Sequence, residues 1–214
     1  MSQDVLTVLF GDPFAVMNTI GLVAFALVGS SKAIREGFDV FGVIIVGLAM
    51  AFAGGATRDL LVMRVPLVLQ SPIEISLGLL GVGLAIALSL VLPSPDTHPV
   101  TVVADAIGLA AFATTGSIVA TGAGVSAVGV VAIATINAVG GGAFADILLD
   151  RSPFILFEDF YASCAVFGGF AYWLVQTIGA EGSTAAAICA IVTVVTRLAA
   201  VKYSWNLPTV QKTG

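Results

Sequence analysis

The chain has 214 residues, 58% of them hydrophobic and only 10% charged, with a mean hydropathy of +1.09. Soluble domains carry about 25% charged residues, so a soluble globular domain is excluded and a polytopic membrane protein is indicated. The formal net charge of -5 says little about partners, because most charges fall between apolar runs, and nothing in it calls for nucleic acid.

A membrane span needs about 20 mostly apolar residues. Seven runs meet that length: 13–34, 39–63, 72–92, 100–121, 125–149, 159–178 and 183–203. The first opens on Asp12-Pro13, an N-cap followed by proline at the first helical position. No basic segment precedes this run and no cleavage motif follows it, so it is expected to be a retained helix and not a signal peptide. The second run starts at Asp39, another N-cap former, and carries Gly54-Gly55 shortly before Arg58-Asp59. The third opens on Ser-Pro-Ile-Glu at 71–74, the pattern of a capping box. Leu-Pro-Ser-Pro-Asp-Thr-His-Pro at 92–99 is the clearest break in the chain and reads as its midpoint linker. The fourth run holds Asp105 near its start, where an interfacial position is expected. The fifth carries Val-Gly-Gly-Gly-Ala-Phe-Ala-Asp at 139–146.

The connections are too short for a soluble domain, and alternation at strand period is absent. The expected fold is therefore an all-α bundle of seven transmembrane helices, not a barrel. Cys164 and Cys189 lie in separate apolar runs and read as small buried hydrophobes. His98 stands alone in its loop, which does not suggest a metal site. No nucleophile elbow, phosphate loop or metal cluster is present in the sequence, so neither an enzyme nor a cofactor is expected.

The chain repeats itself at an offset of 87 residues. Ile-Gly-Leu-Val-Ala-Phe-Ala-Leu-Val-Gly-Ser-Ser from Ile20 matches Ile-Gly-Leu-Ala-Ala-Phe-Ala-Thr-Thr-Gly-Ser-Ile from Ile107 at eight of twelve positions. The register continues without a gap. Asp39 falls on Ser126, Gly54-Gly55 on Gly141-Gly142, Asp59 on Asp146, Leu61 on Leu148, Arg64 on Arg151 and Pro66 on Pro153. Three spans per copy mean that the second copy enters the membrane from the opposite side. The expected organisation is one membrane domain over 1–214, made of inverted repeats at 13–92 and 100–178 and an extra seventh helix at 183–203. Transport proteins of this plan bind their cargo near the midplane, where broken helices from the two repeats meet.

Glycine destabilises a helix by about 1 kcal/mol relative to alanine, and freed backbone groups survive in a membrane only inside protein or against water. Small residues also allow close helix packing. The same glycine motif occurring twice, each time followed by a carboxylate, favours a break in helices two and five. Arg58 and Asp59 are adjacent and project about 100° apart on a helix, so Asp146 from the other repeat is the expected partner of Arg58. One arginine and two aspartates would leave a net negative cluster, which favours a cation. Ser30, Ser31, Thr114, Thr115, Ser117, Thr135 and Asn137 are the further polar groups near the breaks; bonding of Ser and Thr to their own helix carbonyls is the ordinary alternative. Lys32 and Arg35 end the first span, where snorkelling to the interface competes with a gate or a lipid head-group contact.

Basic residues near span ends divide six to two: Lys32, Arg35, Arg151, Arg197, Lys202 and Lys212 on one side, Arg58 and Arg64 on the other. The richer side is expected to face the cytoplasm. The N-terminus is then outside, the C-terminus inside, in a multi-pass cell-membrane protein.

At these residues the chain resembles the prokaryotic trimeric intracellular cation (TRIC) channels. The resemblance rests on the three-plus-three-plus-one plan, the repeated Gly-Leu-x-Ala-Phe opening, and the glycine-rich stretch leading to Thr-Arg-Asp-Leu-Leu. It implies a homotrimer in membrane lipid with one ion pathway per subunit. That pathway would run past kinked second and fifth helices and conduct potassium, with weaker discrimination against sodium. The family's glycines fall on Gly54, Gly55, Gly140, Gly141 and Gly142, and its arginine-aspartate pair on Arg58 and Asp59, with only Asp146 in the second repeat. Ala53 stands where a third glycine is common, and Ala145 where arginine is common. No Lys or Arg lies between Arg64 and Arg151, so the control that basic fourth-helix residues give the animal channels does not carry over. Some related bacterial domains are labelled glycine transporters, and a secondary carrier of a small zwitterion such as glycine is the alternative reading.

Overall fold

The computed structural model describes residues 11–92, 98–156 and 160–207. Lys212 and the linker core at 93–97 lie outside them. Among the described residues are seven α-helices: α1 (Pro13–Arg35), α2 (Val40–Leu61), α3 (Pro72–Ser89), α4 (Pro99–Gly122), α5 (Ala127–Leu148), α6 (Ala162–Thr177) and α7 (Gly182–Tyr203). Two 3-10 turns, Leu67–Leu69 and Phe154–Leu156, follow α2 and α5. The all-α, inverted-repeat architecture is as expected.

Local chemistry sets the helix ends. Asp12 accepts from Phe14 N at 2.9 Å, Asp39 from Gly42 N at 2.8 Å and Ser126 from Gly129 N at 3.3 Å, each satisfying a donor that the helix leaves open. Gly37 and Gly124, 87 residues apart, both take positive φ (75° and 70°) and turn the chain from α1 into α2 and from α4 into α5. The capping box expected at 71–74 does not close. Ser71 makes no side-chain cap, and Glu74 is instead bonded by Asn18 Nδ2 at 2.9 Å.

Six of the helices are long and apolar enough to cross a membrane. The sixth, at 16 residues, spans about 24 Å and is shorter than the run at 159–178 suggested. Phe160 and Tyr161 stay out of the helix, the Tyr161 ring packing edge-on against Phe154 at 4.5 Å, and Gly179, at φ 82°, ends it.

The helices α1 and α4 form the centre. In their most apolar windows 56% and 67% of residues are buried, against at most 44% in any other candidate span. Packed against α1 are α2 and α3; packed against α4 are α5, α6 and α7; and α2 meets α5 directly. Contacts across the centre come in reciprocal pairs 87 residues apart. Phe25 and Phe112 stack edge-to-face at 5.0 Å. The Phe112 ring covers Gly21, and the Phe25 ring covers Gly108. These swaps place the pseudo-two-fold axis between α1 and α4 and between α2 and α5.

The glycines of α2 and α5 do not break their helices. Both helices run uninterrupted through Gly54-Gly55 and Gly140–Gly142. The glycines serve approach instead. A β-carbon on Gly54 would overlap the carbonyl oxygen of Asn137, and one on Gly141 would overlap the carbonyl oxygen of Met50. On Gly140 it would stand 3.3 Å from Gly54 Cα. Helices in lipid gain nothing from hydrophobic burial against each other, so van der Waals contact between close backbones has to hold them. That contact needs the glycines while leaving the intrahelical hydrogen bonds intact, which is why packing prevails over a break.

Gly54→Ala and Gly141→Ala should therefore each destabilise the protein by about 1–3 kcal/mol through overpacking. Gly83→Ala, whose β-carbon meets nothing within 4 Å, should be neutral or stabilising. Thermal unfolding in detergent compares the three, and equal melting temperatures would refute the close-approach role.

Candidate functional site

The crossing of α2 and α5 is antiparallel, since Met50 faces Gly141 while Gly54 faces Asn137. Asp59 and Asp146 each lie near the C-terminal end of their helix and so point to opposite membrane faces, roughly 20 Å apart along the helix axes. The expected single cluster of Arg58, Asp59 and Asp146 is therefore two separate clusters, one at each end of the bundle.

In the first cluster Arg58 pairs with its neighbour Asp59. Nε and Nη2 both reach Asp59 Oδ1, at 2.8 and 2.7 Å. The guanidinium is long enough to fold back across the roughly 100° between adjacent helix positions, so Asp146 is not its partner. Asp59 Oδ2 accepts from Leu67 N at 2.9 Å and fixes the 3-10 turn after α2. The Arg58 guanidinium stands 5.5 Å from the centre of the Phe14 ring. Asn18, Glu74, Phe112 and Gly55 join Arg58 and Asp59 around a small cleft with room for about one water molecule. Arg58 and Asp59 also line an open cavity with Phe14, Arg64 and Gln70. The ion pair thus lines both a small cleft and a larger open one. Arg58 Nη1 and Asn137 Oδ1 are buried without hydrogen-bond partners among the described residues. A β-carbon on Gly55 would lie 3.8 Å from Arg58 Nη2 and 3.9 Å from Asn137 Oδ1, so Gly55 keeps an opening beside these polar groups.

The second cluster repeats this construction with other residues. Asp146 Oδ2 accepts from Phe154 N at 3.0 Å, as Asp59 accepts from Leu67. Its other oxygen pairs with Lys32 Nζ at 2.9 Å. Lys32 therefore turns inward, 4.8 Å from the centre of the Phe154 ring, and does not snorkel. Gly142 packs against the same ring. Arg35 lies 3.7 Å from Glu36 with its side chain 45% exposed. Arg151 Nη2 also binds Glu36. Asp105 is not interfacial: Tyr161 OH donates to it at 2.9 Å and Arg197 Nη2 reaches it at 3.4 Å.

Most hydroxyls between the two clusters are satisfied locally. Thr114, Thr115, Ser117 and Thr135 donate to carbonyls three or four residues back on their own helices. Ser30 donates to Val43 O on α2 at 3.2 Å, and buried Ser31 Oγ meets no partner among the described residues. Asn137 Nδ2 bonds Phe112 O and Thr115 Oγ1 at 2.6 and 2.9 Å, tying α5 to α4. Cys164 and Cys189 are buried free thiols.

Sequence reasoning missed Asn18, Glu74, Tyr161 and Arg197 as site residues. The repeat offset held the signal for three of them: Asn18 falls on Asp105 and Glu74 on Tyr161, and each copy joins its own pair by a hydrogen bond.

Two inverted repeats of membrane helices with an ion pair set into each end of the bundle define a multi-pass membrane protein of the inverted-repeat class. A family model described as "Glycine transporter" matches the chain twice, over residues 15–89 and 102–177. The chain is 32% identical to the UPF0126 membrane protein YvgT of Bacillus subtilis, across 90% of this chain and 94% of that protein. It is 35% identical to a UPF0126 membrane protein of Deinococcus radiodurans, across 74% of each. A structure solved to explain conductance through TRIC cation channels superposes with a TM-score of 0.86 at 32% identity, covering 94% of this chain and 98% of that one. The TRIC trimeric intracellular cation channel orthologue from Rhodobacter sphaeroides superposes with a TM-score of 0.83 at 26% identity, covering 89% and 98%. The chain belongs to the family that this model describes and to that of the TRIC channels. Its solved neighbours are ion channels and not enzymes.

Asp146→Ala should cost about 1–3 kcal/mol, because it leaves Lys32 and the Phe154 N–H without their acceptor. Adding Lys32→Met should recover part of that loss. A double-mutant cycle of thermal unfolding in detergent measures the coupling, and strictly additive costs would show that the pair contributes nothing.

Proposed function

We propose that this protein is a passive, potassium-permeable cation channel that works as a homotrimer with one pathway in each subunit. The observation that carries the reading is the ion pair at each end of one bundle, Arg58–Asp59 at one and Lys32–Asp146 at the other, each taken to close a vestibule, with the polar side chains of Asn137 and Thr115 between them. The similarity to solved TRIC cation channels supports it. The repeats at 13–92 and 100–178 contribute one vestibule each, with 183–203 added as the seventh helix.

The pathway runs alongside the α2–α5 crossing and not through a break. Gly54, Gly140 and Gly141 fix that crossing, while Gly55 and Gly142 keep space beside Asn137 and Phe154. Ser30, Ser31, Thr114, Thr115 and Ser117 form the polar flank. Each ion pair closes its own vestibule, and a cation enters by displacing the basic partner from the carboxylate. Lys32 is the gate residue of the second vestibule. Arg35, exposed at the rim, contacts lipid head groups. Sodium follows potassium with weaker preference.

The carrier reading has one support, the description of the family model as a glycine transporter. Flux through reconstituted protein separates the two. Unitary potassium currents are expected; saturating glycine uptake with counterflow and no unitary current would establish the carrier.

Asp59→Asn and Asp146→Asn should each lower the potassium-to-chloride permeability ratio by roughly two- to tenfold, because a unit charge is lost at a partly desolvated mouth. Reversal potentials in a KCl gradient report the ratio, and unchanged selectivity in both variants would remove these carboxylates from the mechanism.

The end of the bundle that gathers Lys32, Arg151 and Arg197 faces the cytoplasm by the positive-inside rule, which leaves the N-terminus outside. An impermeant thiol reagent applied to intact cells should label Ser2→Cys and not Thr213→Cys, in a background lacking Cys164 and Cys189. The reverse pattern would invert the topology.

A further inference from the structure

The two vestibules differ in one respect that the repeat makes visible. In the first, repeat one supplies its own cation, Arg58. In the second, the matching position is Ala145, while two carboxylates, Asp105 and Asp146, remain. Its own repeat gives neither carboxylate a cation partner, because the arginine that the repeat does carry, Arg151, binds Glu36. Both compensating cations come from outside the repeat: Lys32 from α1 to Asp146, and Arg197 from α7 to Asp105.

The placement of Arg197 is specific. Its Nη2 stands 3.4 Å from Asp105 Oδ2, with the two side chains only 19% and 14% exposed. Its guanidinium carbon lies 4.5 Å from the centre of the Tyr161 ring, and Tyr161 OH donates to the other Asp105 oxygen at 2.9 Å. Arg197 Nε is buried without a hydrogen-bond partner among the described residues. Tyr161 and Arg197 line an open cavity together with Phe154, whose backbone N–H is held by Asp146. Asp105 is the repeat partner of Asn18, which lines the small cleft beside Arg58 and Asp59.

We propose that Arg197 on α7 is the electrostatic stand-in for the arginine missing at Ala145, and that the Arg197–Asp105 pair sets cation permeation through the second vestibule. The inference rests on the channel reading above. With both partners present the pair is neutral toward a passing ion. Removing the arginine exposes a carboxylate and draws cations in; removing the carboxylate exposes a guanidinium and repels them. The two single variants therefore move permeation in opposite directions. A purely structural pair would lower assembly and flux in both.

The test uses full-length protein in planar bilayers under a KCl gradient, with size-exclusion profiles checked for each variant. Arg197→Gln is expected to raise the potassium-to-chloride permeability ratio, and Asp105→Asn to lower it, each by about two- to fivefold for one partly screened charge. The double variant should return toward the parent, because the amides restore neutrality. If Arg197→Gln fails to assemble, Asp105→Asn against the double variant carries the same comparison: a lowered ratio in the first that the second restores is the expected result. Shifts of the same sign in both single variants, or no restoration in the double, would overturn the proposal. A parent protein that passes no potassium would instead overturn the channel reading beneath it.

Discussion

Where α2 crosses α5, the backbone of one helix lies against the backbone of the other, and no side chain fits between them. Gly54 faces the carbonyl of Asn137 and Gly141 that of Met50. In lipid there is no hydrophobic gain from bringing two apolar helices together, so contact area and closeness decide the association. The crossing fixes the spacing of the repeats and with it the stacking of Phe25 on Phe112, worth about 0.5–1.5 kcal/mol beyond its area. It also fixes where the polar ends of both helices come to rest.

From that crossing the charged groups follow. Antiparallel passage sends Asp59 and Asp146 to opposite ends, and each binds the backbone N–H that opens the next 3-10 turn. Each carboxylate thereby has two duties: closing the loop after its helix and holding a cation. A buried charge deprived of its partner is strongly destabilising, which ties the geometry of both mouths to the folding of the bundle. In the channel we propose, a gate made of the same ion pairs moves against that cost, so opening needs an incoming cation to replace the displaced base.

The repeats are alike in backbone and unlike in chemistry. Asn18 and Glu74 occupy in one copy the places of Asp105 and Tyr161 in the other, and the hydrogen bond between them survives with donor and acceptor exchanged between α1 or α4 and the residue it meets. Backbone symmetry is kept because the crossing depends on it. Side chains facing the cavities are free to diverge, provided that each buried polar group finds a partner. The seventh helix, which has no counterpart in the first repeat, supplies Arg197 to Asp105 in a repeat where Ala145 stands at the place of Arg58.

The sequence by itself determined the membrane class, the number of helices, the caps at Asp12, Asp39 and Ser126, and the 87-residue repeat, because hydropathy, capping chemistry and internal identity are local or self-referential signals. From the repeat with three helices per copy came the inversion. Tertiary structure alone decided what the glycines do. A glycine pair reads equally as a hinge or a contact surface until the facing backbone is known, and the facing backbone makes Gly54 and Gly141 a contact. It also decided the charge pairs. Adjacent helix positions diverge by about 100°, yet the length of the Arg58 side chain lets it fold back onto Asp59. Lys32 looked interfacial because its inward partner, Asp146, lies 114 residues away. Asp105 looked interfacial for the same reason, its partners Tyr161 and Arg197 coming from the turn before α6 and from α7. Ion pairs between distant residues leave no periodic trace in a sequence, and only the packing of the helices brings them together.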